Sequence, residues 1–367
     1  MSEILNNLNN IPVRTWRWLG VNETNIKDKM PEIKDYNLNP LIENNGEGYK
    51  VFDIKKNNSS IRFFDNKRDI GIADPLTDLV TKNFNSGYLI EVDENKKVQE
   101  PILIDYKMDT NNSVLVDNNF IIAGENSEIT VVIKYSSNKG DEAFHSGLTK
   151  LYAKKGAVIN LVKVQLMEDD GIHLDAIAAA TEEEAEINCV LIELGAKSTV
   201  TSCKNDLLSK NSKANIYSIY LGDKDRSIDI NYVINHYGRK SESNIKTNGA
   251  LMDKSSKIFR GTIDFKRGSK ESKGMEEEYA VLLSSGIRNR SVPLLLCAED
   301  DVQGQHAAST GKIDENKLFY LMSRGFSELE AKKLIIESSF NPITEKVPIE
   351  ELREEISEYI RRRMLNV

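Results

Sequence analysis

Cysteine is scarce in this chain. The three present, Cys189, Cys203 and Cys297, form no CxxC pair, which excludes a disulfide framework and a self-contained zinc site and suits a reducing compartment. With 21 Gly and 8 Pro the composition is too poor in both for a collagen-like or low-complexity polymer. No stretch reaches the ~18–20 consecutive apolar residues of a membrane span. The opening Met1-Ser2-Glu3-Ile4-Leu5-Asn6-Asn7 lacks a basic segment followed by an apolar run, so the expectation is a cytoplasmic protein without membrane association. Positive charge is also short: 49 Lys and Arg against 57 Asp and Glu give −8, and no global field draws the chain to nucleic acid. Nucleotide and hydrolase motifs are missing as well, with no GxxxxGK[ST], no GxGxxG after a strand, no GxSxG and no HExxH.

What the 367 residues do contain falls into three parts. Residues 1–112 are mixed, with Asn-, Lys- and Asp-rich pieces around the short apolar segment Val13 to Gly20. Trp16 and Trp18 lie two apart there, the spacing that puts both on one strand face over a core. Residues 113–311 are rich in short β-branched runs between polar turns. Four of those runs align on Ile129, Ile159, Ile187 and Ile216, which are 30, 28 and 29 residues apart, with a second run inside each period. A fixed period of this size marks a solenoid, whose repeats bury their apolar faces only by stacking, and two strands per period fit a parallel β-helix better than a propeller blade or a sandwich.

From 312 to 367 the period becomes helical. Leu318, Leu321 and Met322 ride one face of a segment ending at Gly325; a capping box, Ser327 with Glu330, opens a second helix that Pro342 should close; Ile349 to Met364 forms a third, acidic early and basic late. These helices are expected to cap the solenoid or to dock a partner.

Among side chains that could carry chemistry, His145, His173 and His236 have no partner at ligand spacing and read as structural. His306 differs, following Glu299, Asp300 and Asp301 within eight residues, and imidazole is a common ligand for iron or zinc. Cys189 and Cys297 sit in apolar runs and read as core, leaving Cys203 as the exposed thiol; the alternating charges of Lys266 to Lys273 read as a solvated loop.

Asn248-Gly249-Ala250-Leu251, Phe259-Arg260-Gly261, Leu282-Leu283-Ser284-Ser285, Pro293-Leu294-Leu295, Asp301-Val302, His306-Ala307, Gly311 to Glu315 and Leu318 to Gly325 together resemble the SufB/SufD family, scaffold subunits of the SUF iron–sulfur cluster assembly machinery. Arg14-Thr15-Trp16 resembles the family's N-terminus. The resemblance implies a right-handed parallel β-helix core with a C-terminal helical domain. Ala307 after His306, where the SufB type carries Glu, places the chain nearer the SufD branch. Also implied are a SufB-like paralogue paired through the β-helix and a SufC-like ATPase docked on the helical region, here Leu318, Phe319, Tyr320, Ser323, Arg324 and Gly325. A cysteine desulfurase system would connect indirectly. His306 matches the family's interface histidine, a ligand for iron or a nascent cluster shared with SufB; no cofactor is expected to be tightly bound. Many relatives carry Cys two residues before this histidine, where this chain has Gly304. The expectation is a non-enzymatic scaffold. Two other readings stand beside it: an intracellular β-helix enzyme acting on carbohydrate with Glu299, Asp300 and Asp301 as acid and base, and a SufB-like homodimeric scaffold.

Overall fold

Runs of alternating Val, Ile and Leu that are buried on both faces build the body of the molecule, because parallel strands covered on both sides can be apolar throughout. The computed structural model describes residues 6–26, 30–42, 46–56 and 75–364; the residues read for a targeting segment, Met1 to Leu5, lie outside these. Two nine-stranded ladders run side by side and the chain alternates between them, so each coil of the solenoid contributes one strand to each ladder. The parallel strands begin at Tyr88–Val92 and Ile102–Met108, upstream of residue 113, and end at Arg288–Cys297 and Val302–Lys312, about eight coils in all.

The repeat seen in the sequence is the ladder register. Ile129, Ile159 and Ile187 stand in one column, but the next residue in it is Ala214, while Ile216 joins Val131, Leu161, Cys189 and Ile245 two places along. The fourth anchor thus sits one inward position off, and both columns fill the core between the ladders.

The outer faces are covered too. One ladder carries the N-terminal segment and helix α1 (Pro75–Asn83), with Leu8, Ile26, Leu76 and Val80 packed on Val116, Leu148, Leu174 and Val200. The other carries α3 (Glu328–Thr344) and α4 (Glu350–Arg363), which follow α2 (Glu315–Ser323). Ile336, Phe340, Leu352, Ile356 and Ile360 pack on six successive strands of that ladder, from Val132 to Val281. These two helices therefore lie along the flank rather than capping the end. Tyr359 donates to the Met167 carbonyl (2.6 Å), and Arg363 pairs with Asp223 (2.6 Å), fixing the helical return to the middle coils. The Ser327–Glu330 capping box is present, yet α3 continues past Pro342 to Thr344. Proline removes one helix hydrogen bond there, and the burial of Phe340, Ile343 and Thr344 holds the last turn in place.

The two ends of the solenoid differ. At the first coil, Leu41–Ile42 and Tyr49–Asp53 pair antiparallel with Ile102–Met108 and Tyr88–Val92 and close both edges. At the last coil, Arg288–Cys297 and Val302–Lys312 have no further strand among the described residues.

Three expectations fail for one reason: local spacing does not reveal what stacks above. Arg17–Leu19 is a 3₁₀ turn, with Trp16 and Trp18 74% and 80% exposed. Cys203 is buried in the core beside Cys189, while Cys297, at the end of the last coil, is exposed.

Candidate functional site

The open end is built by the pairing of Ser272–Leu282 with Val302–Lys312, in which Gly274 lies beside Gly304 and Glu276 beside His306. Side chains of registered parallel neighbours point to the same face, and along Ser272–Leu282 the alternate residues Ser272, Gly274, Glu276, Glu278 and Ala280 are buried, with Val281 buried on the other face under the helices. Glu276 and His306 both therefore belong to the inward face. Glu276 is covered by the last coil, and His306 is exposed because no further strand stacks on it among the described residues.

Beneath them the interior is charged and well ordered. Glu278 accepts from Tyr220 (2.9 Å), from Ser291 (2.5 Å) and from Lys257, whose ammonium also donates to Ser291 Oγ (3.0 Å) and to the Arg290 carbonyl (3.2 Å). Burial lowers the Lys257 pKa, with the Glu278 charge opposing. Glu276 is different: 1% exposed, it has no hydrogen-bond partner on either carboxylate oxygen among the described residues. Burial first, then the charge of Glu278, pushes its carboxyl up to about 8 against the pull of Lys257. It lies across Gly261 of the opposite ladder, where a Cβ would stand 2.8 Å from its carboxyl carbon, so the glycine makes its space.

Gly304 is crowded in the same way. A Cβ there would stand 2.6 Å from Leu295 Cδ1 and 3.1 Å from Phe265, so the leucine fills the place a cysteine would need. The carboxylates before His306 are not gathered around it: Glu299 spends its oxygens on the N–H groups of Gly268 (3.0 Å) and Asp300 (3.2 Å) in the turn, and that first contact lowers its pKa. No set of three His, Cys, Asp or Glu side chains able to hold a metal occurs among the described residues.

The α2 residues form a second exposed surface. Asp314 caps the helix by accepting from the N–H groups of Asn316 and Lys317 (3.0 and 3.1 Å). No residue of α2 is buried; Phe319 and Tyr320 are 75% and 56% exposed, with Leu318 half-buried. Arg324 stacks over the Tyr320 ring at 5.3 Å, and Gly325, at φ +99°, takes the left-handed turn that ends the segment beside Ser323.

Sequence reading missed a third group, deep inside the solenoid. His145 and His173 are ladder neighbours with Nδ1 atoms 2.8 Å apart; His145 Nε2 meets Asp117 Oδ1 at 2.5 Å, and Asp117 Oδ2 accepts from Asn119 (2.5 Å) and Tyr135 (3.2 Å). Lys163 pairs with Asp175 at 2.6 Å nearby. Burial, before the charges of His145 and Lys163, lowers the His173 pKa well below the usual value, and one ring donates to the other across their contact. Gly147 gives it room, since a Cβ there would stand 2.6 Å from Asp175 Oδ1 and 2.8 Å from His145 Nε2. The signal was available: the two histidines are 28 residues apart, one repeat.

The family description "SUF system FeS cluster assembly, SufBD core domain" matches residues 106–339. The chain is 27% identical over 291 residues to a Bacillus subtilis protein named "Iron-sulfur cluster assembly protein SufD", covering 79% of this chain and 67% of the relative. It is 29% identical over 276 residues to a SufBD family protein of Pyrococcus horikoshii, covering 73% and 60%. With a SufBD family protein of Staphylococcus saprophyticus the identity is 22% over 322 residues, covering 87% and 69%. The matched part thus spans about 60–69% of these relatives' lengths.

Proposed function

The chain belongs to the SufBD family of SUF-system iron–sulfur cluster assembly proteins, and from that premise we propose that it is the SufD-like scaffold subunit, non-catalytic and cytoplasmic, that pairs with a SufB-like paralogue. The observation that carries this reading is the open last coil. Two long strands, Arg288–Cys297 and Val302–Lys312, present unpaired edges side by side, and Val292 to Leu296 remain only half-buried. Natural proteins cover or blunt such edges, and pairing with another chain's edge is the direct way to satisfy them. A partner built as a similar solenoid supplies a matching end, and the joint then encloses His306.

At that joint His306 contributes one imidazole to an iron or nascent cluster that is cargo, not a resident cofactor. Clusters usually take about four protein ligands, so the remaining ones come from the partner. Leu295 occupies the space beside Gly304, which supports a thiolate from the partner rather than from this strand. A SufC-like ATPase docks on the exposed Leu318, Phe319, Tyr320, Ser323, Arg324 and Gly325, with Phe319 and Tyr320 as aromatic anchors.

Anaerobic purification of the tagged chain from its own cells, with native mass and the bound chains determined, tests the reading. One SufB-like chain with two ATPase chains is the expected composition. A monomer without iron overturns it, and two copies of this chain without a paralogue turn it to the homodimeric form.

A further inference from the structure

Among the described residues, Glu276 is a buried carboxylate near the open end whose two oxygens both lack a hydrogen-bond partner. Each of its neighbours is engaged: Lys257 and Ser291 are taken by Glu278, and Gly261 offers only space. A buried carboxyl group with both oxygens unsatisfied is costly and calls for a reason. Its position supplies one, because its ladder neighbour on the inward face is His306.

Neighbouring strands lie ~4.8 Å apart, so a glutamate and a histidine in register on one face can both reach a single cation at bond lengths of ~2.0–2.2 Å. Imidazole suits divalent iron, and a carboxylate adds the negative charge that a lone imidazole lacks. Accordingly we propose that Glu276 is a second ligand of this chain, forming with His306 a carboxylate–imidazole half-site for divalent iron at the open end of the solenoid. The proposal rests on the shared-site reading of His306 given above. Such a half-site leaves coordination positions facing outward, toward the partner. It also gives the chain a means of holding iron before sulfide arrives.

The test is anaerobic titration of the purified complex with Co(II), a spectroscopic stand-in for Fe(II), in the wild type and in the Glu276→Gln, His306→Ala and Glu277→Gln variants, with native mass recorded for each. Glu276→Gln is expected to weaken Co(II) binding on the order of ten- to a hundredfold without changing the mass, and His306→Ala at least as much. Glu277→Gln, the adjacent residue on the outer face, is expected to leave binding unchanged. Full affinity in Glu276→Gln with loss in His306→Ala overturns the proposal and leaves the shared-site reading standing. Full affinity in His306→Ala overturns both. Loss of the partner chain in Glu276→Gln, with the metal still bound by what remains, also overturns it, since the carboxylate would then serve a partner cation. Should the Gln variant fail to fold, Glu276→Asp keeps the charge and shortens its reach; it is expected to weaken Co(II) binding, and undiminished affinity overturns the proposal.

Discussion

The middle coils and the open end hold the same kinds of ionisable side chain in different surroundings. In the middle, Asp117 accepts from Asn119, Tyr135 and His145, His145 meets His173, and Lys163 meets Asp175. At the end, Glu276 has no hydrogen-bond partner among the described residues and His306 faces solvent. The histidines therefore stand in different surroundings. Buried polar groups that satisfy one another specify the packing of a core, whereas the unsatisfied carboxylate at the open end is the one that the proposed half-site would use. The two ends of the fold repeat the contrast, one closed by antiparallel strands and the other left open.

The sharpest way to break this comparison is to remove Asp117. Asp117→Ala strands His145, Asn119 and Tyr135 in the interior and is expected to cost ~3–5 kcal/mol, read from the midpoint of urea unfolding. Gly147→Ala comes next, at ~1–3 kcal/mol, because its methyl group would collide with Asp175 and His145.

A smaller effect is expected from pH. Burial, and after it the charge of Asp175, holds the Glu193 carboxyl at about 8, whereas in the unfolded chain it titrates near 4.5. Between these values the folded chain keeps a proton that the unfolded chain releases, so this contribution to stability is present at low pH and is lost as pH rises toward 8, at up to about 1.4 kcal/mol per pH unit. Glu193→Gln should flatten that slope in thermal unfolding measured from pH 5 to 8. His236 works in the opposite direction: burial lowers its pKa to about 3 from 6.5, so its stability is lost as pH falls through that window. The smallest effect on folding belongs to the open end. His306→Ala should leave the unfolding midpoint and the native mass of the complex unchanged while iron and sulfide content falls; unchanged content would erase the distinction between the two regions.

Much of the solenoid was legible because parallel coils stack in register, so the spacing of Ile129, Ile159 and Ile187 is the geometry itself. Exposure was not legible. Pro293-Leu294-Leu295-Leu296-Cys297 has the composition of a core strand and is half-exposed because no further coil stacks on it among the described residues. The placement of His306 on the inward face followed from its register with Glu276, a residue thirty positions earlier that no local motif singles out. The His145–His173 contact obeyed the same period as the isoleucines, and that period applied to histidines would have found it.

The helical return along the flank has a consequence for how the chain comes apart. Solenoid coils touch only their neighbours, and such arrays unfold piecemeal from whichever end is weaker. Here α3 and α4 bridge six successive strands, and Tyr359 reaches back 192 residues to Met167. They act as a splint across coils that otherwise have no direct contact. Fraying of the open end then meets resistance from the middle, and the solenoid is expected to melt as one cooperative unit.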